Sequence, residues 1–202
     1  MARASAPLPA GRTLSAPSRR EEILRAAAGL FALRGFHGVS IDDIGAAVGV
    51  SGPALYRHFP SKEAILAELL VGISEVLLDE AQSRVAAGGS PADLLTALVD
   101  WQVRFALDHP ALITVHERDL ASLPDDDRRR VRRLQRTYVE LWVDVLRGAL
   151  PQGDRERTRA AAHAAIGLIN STPHSARLDR PAMAALLRDM ALGALRASAG
   201  YP

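Results

Sequence analysis

Residues 40–63 read SIDDIGAAVGVSGPALYRHFPSKE, two short helical segments joined by a glycine turn and followed by the start of a third. Ser40 with Asp43 makes a capping box, and Ile41, Ile44 and Val48 give the first segment one apolar face. Gly49 stops it, Val50 points inward at the corner, and Ser51 is placed to cap the next segment, whose apolar side is Ala54, Leu55 and Phe59. Tyr56, Arg57 and His58 are left to point outward. A helix pair with a short turn, whose second helix projects polar and aromatic side chains, is the geometry that enters a DNA major groove. The segment therefore predicts contact with double-stranded DNA.

Helix signals recur on both sides of it. Ser18 with Glu21 forms a second capping box and opens a helix through Ile23, Ala27, Leu30 and Phe31 to Gly35, so three helices fill residues 19–59. Ser61 caps a long fourth helix carrying Ile65, Leu66, Leu69, Leu70, Ile73, Val76 and Leu77, which runs to Gly88 and Gly89. Ser90, Pro91 and Asp93 place a cap, a first-turn proline and an acid in the order a helix start prefers, and this fifth helix reaches about Asp108. His109-Pro110 interrupts it, and a short helix covers about 111–120. Leu123-Pro124 with three aspartates starts another that ends near Leu150, and after Pro151-Gln152-Gly153 two more span about 154–171 and 180–197. Strand signals are almost absent, so the fold class is all-α, with eight or nine helices.

Charge is unevenly placed. Residues 1–62 carry 8 Arg/Lys against 4 Asp/Glu, a net +4, while the remaining 140 carry 17 against 19, a net −2. The positive end is the end with the helix-turn-helix, as a phosphate-contacting module requires. The absence of cysteine excludes disulfides and thiolate chemistry. The first 18 residues, rich in Ala, Pro and Ser with Arg3 and Arg12, lack the apolar core of a signal peptide, and no stretch approaches a transmembrane length. A disordered arm over 1–18 and a cytoplasmic protein with no membrane partner are expected; the arm either lays an arginine into the minor groove or is an inert tail. The six histidines form no metal pattern, since His116-Glu117 lacks a second histidine three residues on and His163 and His174 stand far apart. With no Gly-rich phosphate loop or nucleophile elbow either, no catalytic residue, metal or cofactor is expected. A helical enzyme stays the weaker alternative, beside a ligand-independent architectural DNA-binding protein.

Residues 19–66, RREEILRAAAGLFALRGFHGVSIDDIGAAVGVSGPALYRHFPSKEAIL, resemble the tetracycline-repressor (TetR) family of bacterial transcriptional regulators, with Phe36, Gly49, Val50, Ser51, Leu55, Tyr56, His58, Phe59 and Lys62 at the family's spacing. The resemblance implies a homodimer, with a helix-turn-helix DNA-binding domain over 19–65 and a larger helical domain over 66–202 for ligand binding and dimerisation. It implies phosphate contacts from Tyr56, His58 and Lys62, and base-facing positions at Gly52, Pro53, Ala54 and Arg57, with Ser51 opening the contact set. Arg57 is suited to a bidentate contact with guanine. Gly52 and Pro53 depart from the polar or basic residues many members carry, so base contacts are expected to be few and partly apolar. Two plainer roles stay open: Tyr56 packing on the fourth helix, and His58 capping a carbonyl. Asp42 and Asp43 suit the first turn of a helix.

Beyond residue 80 the resemblance is to the family's helical layout. Trp101 and Phe105 share one helix face, as do Tyr138 and Trp142, and such a stripe is either core or ligand box. The family's pocket makes Trp101, Phe105, Ile113, Tyr138, Leu141 and Trp142 the expected lining for a small, largely apolar effector. His116 and Glu117, with Arg118 and Asp119, either orient its head group or form a solvated turn of ion pairs. The six arginines from Arg128 to Arg136 cannot all share one face; they are solvated, or they meet the phosphates of an acyl-coenzyme A. The small residues of 160–167, AAAHAAIG, and the helix carrying Met183, Leu186, Leu187, Met190 and Leu195 form either a dimer interface or a helix pair within one subunit, and Ala165 is buried in both cases. The implied mechanism is repression of a palindromic operator, relieved by a ligand that moves the two heads out of register.

Overall fold

The computed structural model describes residues 18–150 and 154–199, so the expected N-terminal arm (1–17) and the Pro151–Gly153 break lie outside the described residues. The described residues form helices α1 Arg19–Arg34, α2 Ile41–Val48, α3 Gly52–Leu55, α4 Lys62–Ala86, α5 Pro91–Asp108, α6 Pro110–Asp119, α7 Asp125–Ala149, α8 Arg155–Ile169, α9 Thr172–Ser175 and α10 Arg180–Ala199, with a 3-10 turn at Leu120–Ser122 and, among the described residues, no strand. The predicted all-α class stands, and the predicted helix starts agree because they are set by local caps. Both capping boxes form, Ser18 with Glu21 and Ser40 with Asp43. Ser90 accepts from Asp93 at 3.2 Å, and Ser61 from Ala64 at 3.1 Å. Thr172–Ser175, between the helices expected over about 154–171 and 180–197, is a separate short turn of helix.

The chain divides into two compact units. The first runs to Ser74 and takes back Ala111–Val131; the second comprises Glu75–Pro110 and everything from Arg132 onward. The division differs from the sequence boundary at 65, and side chains on α6 and the 3-10 turn account for the returning segment. The Arg118 guanidinium donates to the carbonyls of Phe31 and, at 3.2 Å, Ala32 in the last turn of α1, and forks onto both oxygens of the buried Asp119 carboxylate at 3.1 Å. Ser122 Oγ lies 3.2 Å from His37 Nε2 beyond that same helix end. Arg118 thus adds donors to last-turn carbonyls of α1, of which Phe31 O also accepts from the Gly35 N–H at 2.8 Å.

In the first unit α1 packs on α2 and α2 on α3 around Ile23, Phe31, Phe36, Ile44, Leu55, Phe59 and Leu66, all nearly or wholly inaccessible. Phe31 and Phe36 meet edge to face at 5.4 Å between centroids. Gly49 takes the left-handed conformation (φ 71°) that ends α2. Gly45 is required for a different reason: a Cβ there would lie 2.6 Å from the Val50 carbonyl oxygen, so α2 can approach its own turn only with hydrogen at this position.

In the second unit α10 packs against α8 and α5. Leu98, Val99, Val143, Ala162, Ala165, Ile169, Leu187, Ala191 and Leu195 make its core. The rim is tied by Arg188 to Asp100 at 2.9 Å and Arg180 to Asp108 at 2.8 Å, and Glu140 on α7 accepts from Arg155 and Arg159 on α8. Those bonds, first from Arg155, hold the Glu140 carboxyl below its ordinary range.

Candidate functional site

Leu55 and Phe59, 0% and 1% exposed, anchor the α3 segment, and Ser51 O accepts from Ala54 and Leu55 to start it. Beyond Leu55 the chain continues as a tightened turn, with His58 N donating to Leu55 O at 2.9 Å. This leaves Ser51, Pro53, Tyr56 and Arg57 exposed, Ala54 and His58 half-buried and Gly52 buried. Tyr56 is 54% exposed, so it is a projecting side chain more than a packing one. The Arg57 side chain has no hydrogen bond or ion pair among the described residues, while its backbone N–H donates to Ala54 O at 3.3 Å.

Three expectations about this segment need correction. Ser51 has the backbone of an N-cap, but its hydroxyl makes no capping bond and stays outward. Gly52, expected to face bases, is buried against α2: a Cβ there would meet the Asp42 carboxylate at 2.3 Å, so its role is close packing. Lys62, expected at the phosphates, is half-buried and turned inward. Its ammonium donates to Phe36 O at 2.9 Å and Val39 O at 2.7 Å and sits 4.4 Å from the Phe36 ring centroid, so one of its three donors remains.

Three other cations of the first unit, Arg19, Arg20 and Arg34, are similarly engaged. Arg19 donates to Val48 O at 3.0 Å at the end of α2. Arg20 forks onto Glu68, donates to the His58 carbonyl and covers the Phe59 ring at 4.1 Å, fastening the end of the recognition segment to α1 and α4. Arg34 reaches Asp43 at 3.4 Å, and the Asp43 carboxyl lies below its ordinary range chiefly because the Ser40 hydroxyl bonds it. Sequence reading missed Arg20 because its partners lie 38 to 48 positions away. Of the eight cations counted over 1–62, Arg19, Arg20, Arg34 and Lys62 are thus engaged in holding the head together and Arg57 is outward, while Arg3 and Arg12 lie outside the described residues.

In the second unit Trp101, Phe105, Tyr138 and Trp142 are buried, with ring centroids 6.3 Å apart in the first pair and 6.2 Å in the second. Two residues missed from the sequence join them. The Tyr138 hydroxyl donates to Gln102 Oε1 at 2.6 Å, and Gln102 Nε2 donates to Asn170 Oδ1 at 2.8 Å, a buried chain linking α7, α5 and the end of α8. Gln102 is 1% exposed, and an isolated amide on an otherwise apolar helix face was the only signal for it. Burial pushes the Tyr138 hydroxyl well above its ordinary value, so it stays a donor. Leu141 is half-buried. Ile113, His116 and Glu117 belong to the first unit: Ile113 is buried, His116 is half-buried with its imidazole held below the ordinary value by burial, and Glu117 is exposed. Arg118 and Asp119 form the α1 clamp and not a solvated turn.

In the arginine run, Arg128 and Arg129 pair with Asp125 and Asp126 one turn earlier, and Arg132, Arg133 and Arg136 are exposed, which fits a solvated face. Ala162 and Ala165 are buried where α8 meets α10, while Ala160, His163, Ala164 and Gly167 on α8, and Leu186 and Met190 on α10, are exposed. The small-residue helix thus packs within the subunit on one side and presents a second face outward. Among the described residues no group of three or more His, Asp or Glu is placed to hold a metal, and no helix is long and apolar enough to cross a membrane.

A helix-turn-helix head joined to a second helical unit with a buried aromatic and polar centre defines the class, a DNA-binding regulator with an effector domain. The chain belongs to the TetR family of bacterial regulatory proteins, matching the family's N-terminal model over residues 23–69 and a tetracycline-repressor-like C-terminal domain over 88–175. Over 148 residues it is 31% identical to the HTH-type transcriptional repressor KstR2 of Rhodococcus jostii, covering 73% of this chain and 72% of that one. A TetR-family regulator from Bordetella parapertussis superposes with a TM-score of 0.78 at 26% identity, covering 86% and 93% of the two chains. AibR, solved with isovaleryl coenzyme A and operator DNA, superposes at 0.72 with 20% identity over 86% and 97%, a likeness of fold. The protein is thus a transcriptional regulator and not an enzyme, of a family whose members bind DNA operators and small molecules and typically dimerise.

Proposed function

We propose that the protein is a repressor that binds a palindromic operator as a homodimer and leaves it when a small, largely apolar effector enters the second unit. The observation that carries the DNA half is Arg57, exposed and unpartnered beside Tyr56 on a segment anchored by Leu55 and Phe59. Its guanidinium reads guanine bidentately, Tyr56 and His58 meet phosphates, and Ser51, Pro53 and Ala54 lie along the groove, with Gly52 behind them. The exposed faces of α8 and α10, with Leu186 and Met190 43% and 48% exposed, support an isologous four-helix contact between protomers. Two recognition segments then meet successive major grooves about 34–36 Å apart or a multiple of it.

For the effector, Trp101, Phe105, Tyr138 and Trp142 supply an apolar enclosure and Gln102 a polar centre, with Leu141 a further lining residue of the same unit. The repressor activity named for KstR2 and the isovaleryl coenzyme A bound to AibR favour repression and a ligand of acyl-thioester type. Such a ligand shifts the protein only by its differential affinity for the DNA-competent and released states. The test is fluorescence anisotropy on DNA from upstream of the protein's own gene, across salt concentrations and with acyl-CoA esters added. Selective, salt-sensitive binding released by an ester is expected; binding indifferent to sequence overturns the reading.

A further inference from the structure

The first turn of α2 carries two acids that the structure uses differently. Asp43 closes the capping box, accepting from the Ser40 N–H at 2.8 Å and the Ser40 hydroxyl at 2.6 Å, and faces Arg34 at 3.4 Å. Asp42, one residue earlier, is exposed, and its carboxylate has no hydrogen bond or ion pair among the described residues. Its Oδ1 fills the space that a side chain at Gly52 would take, with its Cγ 3.5 Å from where a Cβ there would stand. Gly52 is buried behind it, whereas Ser51 and Pro53 on either side are exposed. At position 52 the recognition segment therefore presents a carboxylate supplied by α2.

An unpaired carboxylate on a DNA-contacting surface is a selective group. It only accepts hydrogen bonds, and it repels phosphate oxygens. In the major groove guanine offers the acceptors N7 and O6, and thymine offers O4 and a methyl group, so neither base has a proton for it. Cytosine N4 and adenine N6 each present an N–H donor there. Arg19, Arg20, Arg34 and Lys62 hold other partners and leave this charge uncompensated. Opposite an exocyclic amino group the carboxylate is paired; opposite any other base edge it is stripped of water with nothing in return.

From this we infer that Asp42 is a specificity-determining residue of the head, whose carboxylate accepts from the amino group of a cytosine or adenine in the major groove and rejects guanine and thymine at the same position. The inference rests on the DNA-binding reading of α3 and adds a contact from outside that segment. Gly52 is part of the arrangement, because only a residue without a Cβ leaves room for the carboxylate.

The test uses the full-length protein to select duplexes from a library randomised over its centre, followed by fluorescence anisotropy on the selected motif and its single-base variants. One position is expected to require cytosine or adenine, the base selected telling which amino group is read. Guanine or thymine there should weaken binding by about 5- to 30-fold. Asp42→Ala should remove most of that penalty while selection at the other positions stays in force. Gly52→Ala, which displaces the carboxylate but keeps the charge, should do the same. Asp42→Asn keeps the shape and adds a donor, so it should admit the rejected bases, whose acceptors its amide can meet. Circular dichroism melts establish that each variant is folded. A motif whose base preferences are the same in the parent, Asp42→Ala and Asp42→Asn overturns the inference alone and leaves Asp42 a first-turn acid of α2. A parent that selects no motif sinks the DNA-binding reading and the inference with it.

Discussion

Lys62→Met separates a fold-holding lysine from a phosphate-binding one. Methionine keeps much of the stem and deletes the ammonium, leaving the carbonyls of Phe36 and Val39 without the donors that reach them at 2.9 and 2.7 Å. A hydrogen bond from a charged donor contributes about 1.5–3 kcal/mol where it is well enclosed. The site is half-buried, so water replaces part of each bond, and the cation over the Phe36 ring adds about 0.5 kcal/mol. The net expectation is a loss of about 2 kcal/mol, which moves a urea midpoint by roughly 1 M at an ordinary denaturant sensitivity. The assay is urea unfolding followed by circular dichroism, beside anisotropy on operator DNA at several salt concentrations. A lysine at the phosphates gives the opposite pattern: stability is unchanged and the slope of log K against log salt flattens by about 0.9 per protomer. That pattern would refute the structural assignment of Lys62.

Other substitutions test neighbouring steps. Arg57→Ala should cost about 1–3 kcal/mol on operator and much less on scrambled DNA, read by anisotropy on both; an equal loss on the two removes Arg57 from base recognition. Gly45→Ala should unfold the head or abolish DNA binding, because its Cβ would sit 2.6 Å from the Val50 carbonyl, whereas Gly52→Ala need only displace the Asp42 carboxylate; similar thermal midpoints for the two variants would contradict this. Arg118→Met should cost about 2 kcal/mol by unpairing the buried Asp119, and adding Asp119→Asn should recover part of it, as thermal unfolding of the single and double variants will report. His109 and His116 are both held below the ordinary histidine value by burial, so the unfolded chain takes up their protons first. Their contribution is complete above about pH 6.5 and is lost as pH falls toward the depressed folded values; melting at pH 8 and pH 5.5 should differ less in His109→Gln/His116→Gln than in the parent.

The helix-turn-helix was legible because its determinants are local. Two capping boxes, a left-handed glycine and apolar positions at helical spacing lie within a few residues of each other, and each fixes backbone shape before any tertiary contact forms. What the sequence concealed depends on partners far along the chain. Arg118 meets α1 at a separation of 86 to 87 residues, Tyr138 meets Gln102 at 36 and Gln102 meets Asn170 at 68. No periodicity marks such pairs, because a helix face says only which side is buried and not which donor will find which carbonyl.

The same reasoning bears on how charge should be read in a DNA-binding head. A count over the sequence treats every arginine and lysine as available to phosphate, yet Arg19, Arg20, Arg34 and Lys62 hold helix ends, a carboxylate or a loop. A cation enclosed by carbonyls would have to break those bonds to meet DNA. It therefore adds long-range attraction but little contact energy, and counterion release scales with the contacts made and not with formal charge. The salt dependence of operator binding should accordingly be shallower than the +4 of residues 1–62 suggests, and Arg57, with no bond to break, should dominate whatever sequence preference the head shows.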